Sequence, residues 1–254
     1  MFTPSGNRLV ILSGPSCAGK TPLYKSLGKF HPNLQENLHK LVMMNSRDPR
    51  PGELDGVDFH FRTRSQIEKL RADPRFVLIE ARSDLQAVNM DELESLLRSG
   101  NVFYEGNAYV GRALQTHPRL EGVRRLSIFL SPLSKEEIKY LRAPERNVSL
   151  PQMLTDIMRR KLLRRTRRQK GEISMPDLEN IETRASAAYR EMQLAWQFEH
   201  VIPNHDGEDS DDWEAFYYPL GDARKALDAF AALLQGEVRP WVEQWEKDLL
   251  PATK

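Results

Sequence analysis

The sequence predicts an α/β fold, a parallel sheet with helices on both faces, and three observations lead there. The run Leu9-Val10-Ile11-Leu12 is continuously apolar and half β-branched, as a strand buried on both faces requires. It leads into Gly14-Pro15-Ser16-Cys17-Ala18-Gly19-Lys20-Thr21, which fits the spacing G-x-x-x-x-G-K-[ST], and Leu23, Leu27 and Phe30 follow at helical intervals. Beyond this strand, loop and helix, further strand-like and helix-like segments alternate without internal repeat or low-complexity linker.

A loop wound this way turns main-chain N–H groups and a helix N-terminus toward one point, where a polyphosphate is held by aligned dipoles. The motif places Lys20 on the outer phosphates and the Thr21 hydroxyl on Mg²⁺, so nucleotide binding is the expectation. Composition sets the outer limits. The 254 residues are 40% hydrophobic, enough for one large domain with its own core, and the formal charge of +1 gives no global pull toward nucleic acid or membrane. A single cysteine excludes an internal disulfide, and no apolar run approaches the roughly 20 residues that span a bilayer. The stretch from Met1 to Arg8 lacks the apolar core of a secretion signal, which leaves a reducing, cytoplasmic setting as the expectation. The six histidines show no metal-ligand spacing.

Element by element, a short strand is expected near Leu41 to Asn45, a turn region from Asp48 to Gly56, and a strand from Val57 to Phe61. Ser65 reads as the cap of a short helix reaching Arg71, and Arg75 to Ala81 as a strand with Glu80 near its end. Asn89 caps a helix to about Arg98 that Gly100 stops; strands follow at Val102 to Glu105 and Arg125 to Leu130. Ser134, with Glu136 and Glu137 in the first turn, opens the next helix, and helices dominate from Pro151 to Phe198. A strand at Glu199 to Ile202 ends at Pro203-Asn204. Helices at Gly221 to Leu234 and Val238 to Leu250 close the chain, the latter with Trp241 and Trp245 four residues apart on one stripe.

The second chemical signal is the block from Arg47 to Phe61. Arg47 and Arg50, three residues apart and stiffened by Pro49 and Pro51, can present two planar forks to one doubly charged phosphate; a solvated charged turn is the competing reading. The whole block resembles the guanylate kinase signature R-x-P-R-x-G-E-x-x-G-x-D-Y-x-F, with Phe59 at the tyrosine position. The resemblance covers about residues 8 to 234. It implies a three-layer P-loop sheet carrying a small strand-containing subdomain for the monophosphate (about 43–99) and a helical lid with an insertion (about 141–183). Together these form a domain over 7–234, followed by a C-terminal helical extension over 235–254. It also implies phosphoryl transfer from Mg-ATP to a purine monophosphate, GMP first among them. The expected site is then Gly14 to Thr21 and Asn204 for ATP, Thr21 for the metal, and Arg47, Arg50, Phe59, Glu80 and Glu105 for the acceptor. Glu80 is expected to read the guanine edge, and Lys20, Arg47, Arg184 and Arg167 are expected to act on the transferring group, Arg167 within the lid run Arg159 to Arg168.

Several residues depart from that pattern. Cys17 stands at a usual glycine and Pro22 at a usual serine or threonine, while Met43 and Met44 replace hydroxyl side chains that help hold the acceptor phosphate. Phe59 lacks a phenolic donor, and the segment 81–92 lacks the family's tyrosines. Two other functions stay open on these residues: a non-catalytic binding or scaffold module of the same family, and a kinase acting on another phosphorylated acceptor. The arginine run also admits a solvated helix face or a nucleic-acid patch, although a nucleic-acid or membrane partner is not expected overall and a homodimer is left open.

Overall fold

The computed structural model describes residues 6–50 and 52–251; Pro51 of the arginine block and the last residues of the expected C-terminal extension lie outside it. The order is β1 (Arg8–Ser13), α1 (Lys20–Phe30), α2 (Pro32–Glu36), β2 (Leu38–Lys40), β3 (Met44–Asn45), β4 (His60–Phe61) and α3 (Arg64–Glu68). Then come β5 (Phe76–Ala81), β6 (Asp84–Asn89), α4 (Met90–Ser99), β7 (Asn101–Gly106), α5 (Ala108–Thr116) and β8 (Arg124–Ser131). The chain closes with α6 (Lys135–Arg142), α7 (Leu150–Lys170), α8 (Met175–Met192), β9 (His200–Pro203) and α9 (Gly221–Leu234).

The main sheet runs β2-β7-β1-β8-β9, all parallel. Strand alternation sorts its side chains into two cores, which is why the domain has three layers. Leu9, Ile11, Val102, Tyr104, Phe129 and Val201 pack toward α4, α5, α7 and α8, whereas Val10, Leu12, Phe103, Ile128 and Ile202 pack toward α1 and α9. The β1 carboxyl end lies between β7 and β8, so the loop after β1 opens into the crevice where ligands of open α/β sheets bind.

A second sheet, β4-β3-β6-β5, stands beside this crevice. β5 and β6 form a hairpin turning at Arg82-Ser83, with Ala81 opposite Asp84, Ile79 opposite Gln86 and Glu80 opposite Leu85. β6 lies in the stretch 81–92, where no strand was expected. The expected strand at 41–45 shortens to β3, and that at 57–61 to β4. Helix α3 is capped by Thr63, with Gln66 completing a capping box, and not by Ser65. α5, capped by Asn107, was not expected.

The helix expected over Val238–Leu250 does not form among the described residues. Glu243 instead exchanges main-chain hydrogen bonds with Val201 in both directions (2.8 Å each), extending the β9 edge by a single bridge. Pro240 interrupts helical hydrogen bonding; Trp245, Leu249 and Leu250 still reach the core while Trp241 stays exposed, so only part of the expected stripe is buried, and without a helix.

Candidate active site

The phosphate loop is shaped by its glycines. Gly14 has φ 154°, and a Cβ there would lie 2.4 Å from the Leu130 carbonyl oxygen; Gly19 has φ 99°. Cys17 takes φ 66° without the glycine that suits it, and burial pushes its thiol up to about 12, which leaves it inert. Lys20 is buried and bridges the loop, its ammonium donating to the carbonyls of Gly14 (3.1 Å) and Pro15 (2.7 Å). The Thr21 hydroxyl donates to Glu105 at the end of β7 (2.7 Å), and burial raises the Glu105 carboxyl above its ordinary range.

Opposite the loop, Arg47 donates from both terminal nitrogens to Glu53 and lies over the rings of Phe59 and Phe61 at 5.2 and 5.5 Å. Arg50 donates its main-chain N–H to Glu53 (2.8 Å), and its guanidinium is lowered to about 9 by burial and by the neighbouring charges of Arg47 and Arg165. From α8, Arg184 is buried and donates to the Ser16 hydroxyl (3.0 Å), so it touches the loop directly.

A cavity of about 350 Å³ joins these parts: Gly14, Ser16, Lys20 and Thr21 on one side, Arg47, Arg50, Glu53 and Phe59 on the other, with Arg184 and Glu105 between. A second cavity of about 400 Å³ shares Arg47, Arg50, Arg165 and Arg184 as its wall. Four guanidiniums thus converge on one region, where Glu53 pairs with two of them. Burial, and then the repulsion of Arg50, Arg165 and Arg82, lowers the Arg184 pKa well below its usual value. Such an arrangement is built to receive several anionic oxygens.

Within the loop, Pro15, Ala18 and Gly19 do not line this cavity, and three expected residues outside the loop do not join it either. Glu80 sits on the opposite face of β5: the cavity face of the hairpin carries Ala81, Asp84 and Gln86, and the parity of an extended strand turns Glu80 outward to pair with Arg64. Arg167 is exposed and lines neither cavity, because the inward arginine of α7 is Arg165, two residues earlier and buried. Asn204 is fully buried and spends its amide on the carbonyls of Ala18 (2.8 Å) and Asp206 (2.6 Å), bracing the loop from behind. Glu105 does line the cavity, but against Thr21, on the phosphate-loop side rather than the acceptor side.

Sequence reasoning missed an acidic strap after β9. Gly207 packs against the Cys17 carbonyl, where a Cβ would come within 2.2 Å, and the Trp213 indole donates to the carbonyls of Asp206 and Gly207 (3.0 Å each). Asp209 pairs with Arg164 at 2.7 Å, and Asp211 pairs with Arg168 at 2.6 Å, which ties the outer arginines of α7 to the strap. Glu208 lines the main cavity with one carboxylate oxygen buried and unpartnered. The run Gly207-Glu208-Asp209-Ser210-Asp211-Asp212, dense in charge just past a sheet strand, was the available signal.

The family model for guanylate kinase matches residues 6–96, which hold the phosphate loop, the arginine pair and the small second sheet. The guanylate kinase of Synechococcus sp. (strain JA-3-3Ab) is 29% identical over 228 residues, covering 84% of this chain and 82% of that protein. Over most of its length the chain is similar to guanylate kinases. Another relative, the guanylate kinase of Rickettsia bellii (strain RML369-C), is 26% identical over 211 residues and covers 82% of this chain and 92% of its own length. The crystal structure of guanylate kinase from Anaplasma phagocytophilum shares the fold, with a TM-score of 0.51 at 17% identity over 92% of this chain and 87% of that one. The cavity wall also includes Met43, Gln86 and Asn107.

Proposed function

We propose that this chain transfers the terminal phosphoryl group of Mg-ATP to GMP, yielding ADP and GDP. The observation that carries this reading is the single cavity in which the Gly14 to Thr21 loop faces Arg47 and Arg50. Two polyanions meet end to end only where both ends are matched by donors, and positioning with charge cancellation is the chemistry that phosphoryl transfer asks of a protein.

In this reading the loop amides and Lys20 hold the donor phosphates, Arg47 and Arg50 hold the acceptor phosphate, and Arg184 and Arg165 approach the transferring group from the helical side. Lys20 exchanges its two carbonyl partners in the loop for phosphate oxygens. A partly buried carboxylate hydrogen-bonded to the motif hydroxyl is a suitable donor set for a divalent cation, so Thr21 and Glu105 would hold Mg²⁺. That ion, when bound, supplies charge neutralisation across the phosphates. Phe59 keeps the Arg47 fork in place by lying beneath it. The reading implies the cytoplasm as the setting, and every residue it uses comes from one chain.

A scaffold function is not favoured, because such a module has no use for a buried lysine in an intact phosphate loop facing paired arginines. The test is ADP release with GMP, dGMP, AMP, UMP and CMP in turn. Turnover with GMP supports the reading, and no turnover with any of them defeats it.

A further inference from the structure

Asn45 and Gln86 are register partners across β3 and β6, so their side chains stand side by side on the face that lines the cavity, and they are 1% and 6% exposed. The orientation of each amide is dictated by a main-chain group. Asn107 caps α5 by accepting the Val110 N–H on its oxygen (3.0 Å), so its amide nitrogen donates to the Gln86 Oε1 (3.1 Å). Gln86 therefore turns its oxygen to Asn107 and keeps two N–H donors, which no described residue accepts. Asn45 accepts the Arg47 N–H on its oxygen (3.2 Å), and its amide nitrogen is buried without a partner. An N–H donor held without a partner costs free energy, so the natural complement of these two amides is a ligand that accepts.

Given the kinase reading above, on which this rests, we propose that Asn45 and Gln86 read the acceptor base as a pair of N–H donors. They would select 6-oxopurine monophosphates by the carbonyl oxygen and leave the 2-amino group unread. Guanine and hypoxanthine both carry an acceptor at O6 with N7 beside it, whereas adenine carries an N–H₂ donor there, which sets donor against donor. Ala81 and Ile79, the register partners of Asp84 and Gln86 on β5, are apolar and offer nothing to a 2-amino group. Asp84, on the same face of β6, is the one rival reader on the hairpin, since its carboxylate accepts where the amides donate.

The experiment measures kcat/KM for GMP, IMP and AMP in the wild type, Gln86→Glu and Asp84→Asn, with a thermal shift in Mg-ATP to show that each variant folds and binds donor. The expected result is GMP and IMP within about tenfold of each other and AMP at least about a hundredfold lower. Gln86→Glu keeps the bond from Asn107 but replaces the donors with a carboxylate oxygen. It should lower GMP and IMP together by at least about tenfold, mainly through KM, and narrow the gap to AMP. Asp84→Asn should leave the GMP to IMP ratio unchanged. GMP turnover with IMP excluded, or a ratio that collapses in Asp84→Asn, overturns this proposal and leaves the kinase reading standing. AMP used as well as GMP overturns it too. No turnover of any monophosphate alongside intact Mg-ATP binding removes the kinase reading, and this proposal with it.

Discussion

Arg47 meets Glu53 fork to fork, with Nη1 to Oε2 and Nη2 to Oε1 both at 2.7 Å, and Arg50 adds its main-chain N–H to the same carboxylate. The pair is half-buried and fixes the loop that carries both clamp arginines, so the forks are arranged before any phosphate arrives.

Glu53→Gln should therefore raise KM for GMP by about tenfold with a smaller change in kcat, because it loosens acceptor binding rather than the transfer itself. Burial alone would raise the Glu53 carboxyl, but the Arg47 and Arg50 hydrogen bonds and charges outweigh it and hold the group below its ordinary 4.5. The sign follows. The pair's stabilisation is fully present above that ordinary value and is lost as pH falls through the lower native one. The Tm difference between wild type and variant should be constant near neutrality and shrink in acid; a difference that grows in acid contradicts the pairing.

Glu105 behaves in the opposite sense. Burial raises its carboxyl, so its ionisation costs stability as pH climbs from the ordinary value through the raised one. Glu105→Gln should raise Tm at neutral pH while cutting kcat at least about a hundredfold, the pattern of a group kept for chemistry rather than for folding. A variant that is less stable and fully active would refute its assignment beside Thr21.

On α7, Arg165→Ala and Arg167→Ala make a matched pair. The first removes a buried guanidinium from both cavity walls and should lower kcat at least about a hundredfold; the second removes an exposed one and should stay within about twofold. Steady-state kinetics at saturating nucleotide decide between them.

Glu208 places a carboxylate in the cavity that the donor phosphates need. Burial alone would raise its pKa, but Lys20 and Arg165 hold it below the ordinary range, so it is charged at neutral pH. Glu208→Gln should tighten Mg-ATP binding by roughly threefold to tenfold in calorimetry, because a competing anion is gone. Weaker binding in the variant would mean that Glu208 helps hold the donor.

Much of the fold was legible because its signals are local. The buried strand at Leu9 to Leu12, the loop motif and the caps at Asn89 and Ser134 each depend on neighbours in sequence, and each is found as expected. The candidate site was legible to the extent that Lys20, Thr21, Arg47, Arg50 and Arg184 line one cavity. It was not legible where a shift of one or two residues changes the face. Glu80 is turned away by strand parity, and Arg167 loses to Arg165 because α7 offers several arginines and only packing against the cavity selects one. The terminal segment failed for a different reason: its stripe was read as a helix, while the open edge of β9 offered Glu243 a main-chain partner that no sequence period encodes.

The central claim is direct transfer between two ligands held in one cavity, and following the label from γ-labelled ATP tests it most directly. With GMP present, the label should appear in GDP, and Lys20→Met or Arg47→Ala should each reduce that transfer at least about a hundredfold. Label found only in inorganic phosphate, or transfer that survives both substitutions, would contradict the account.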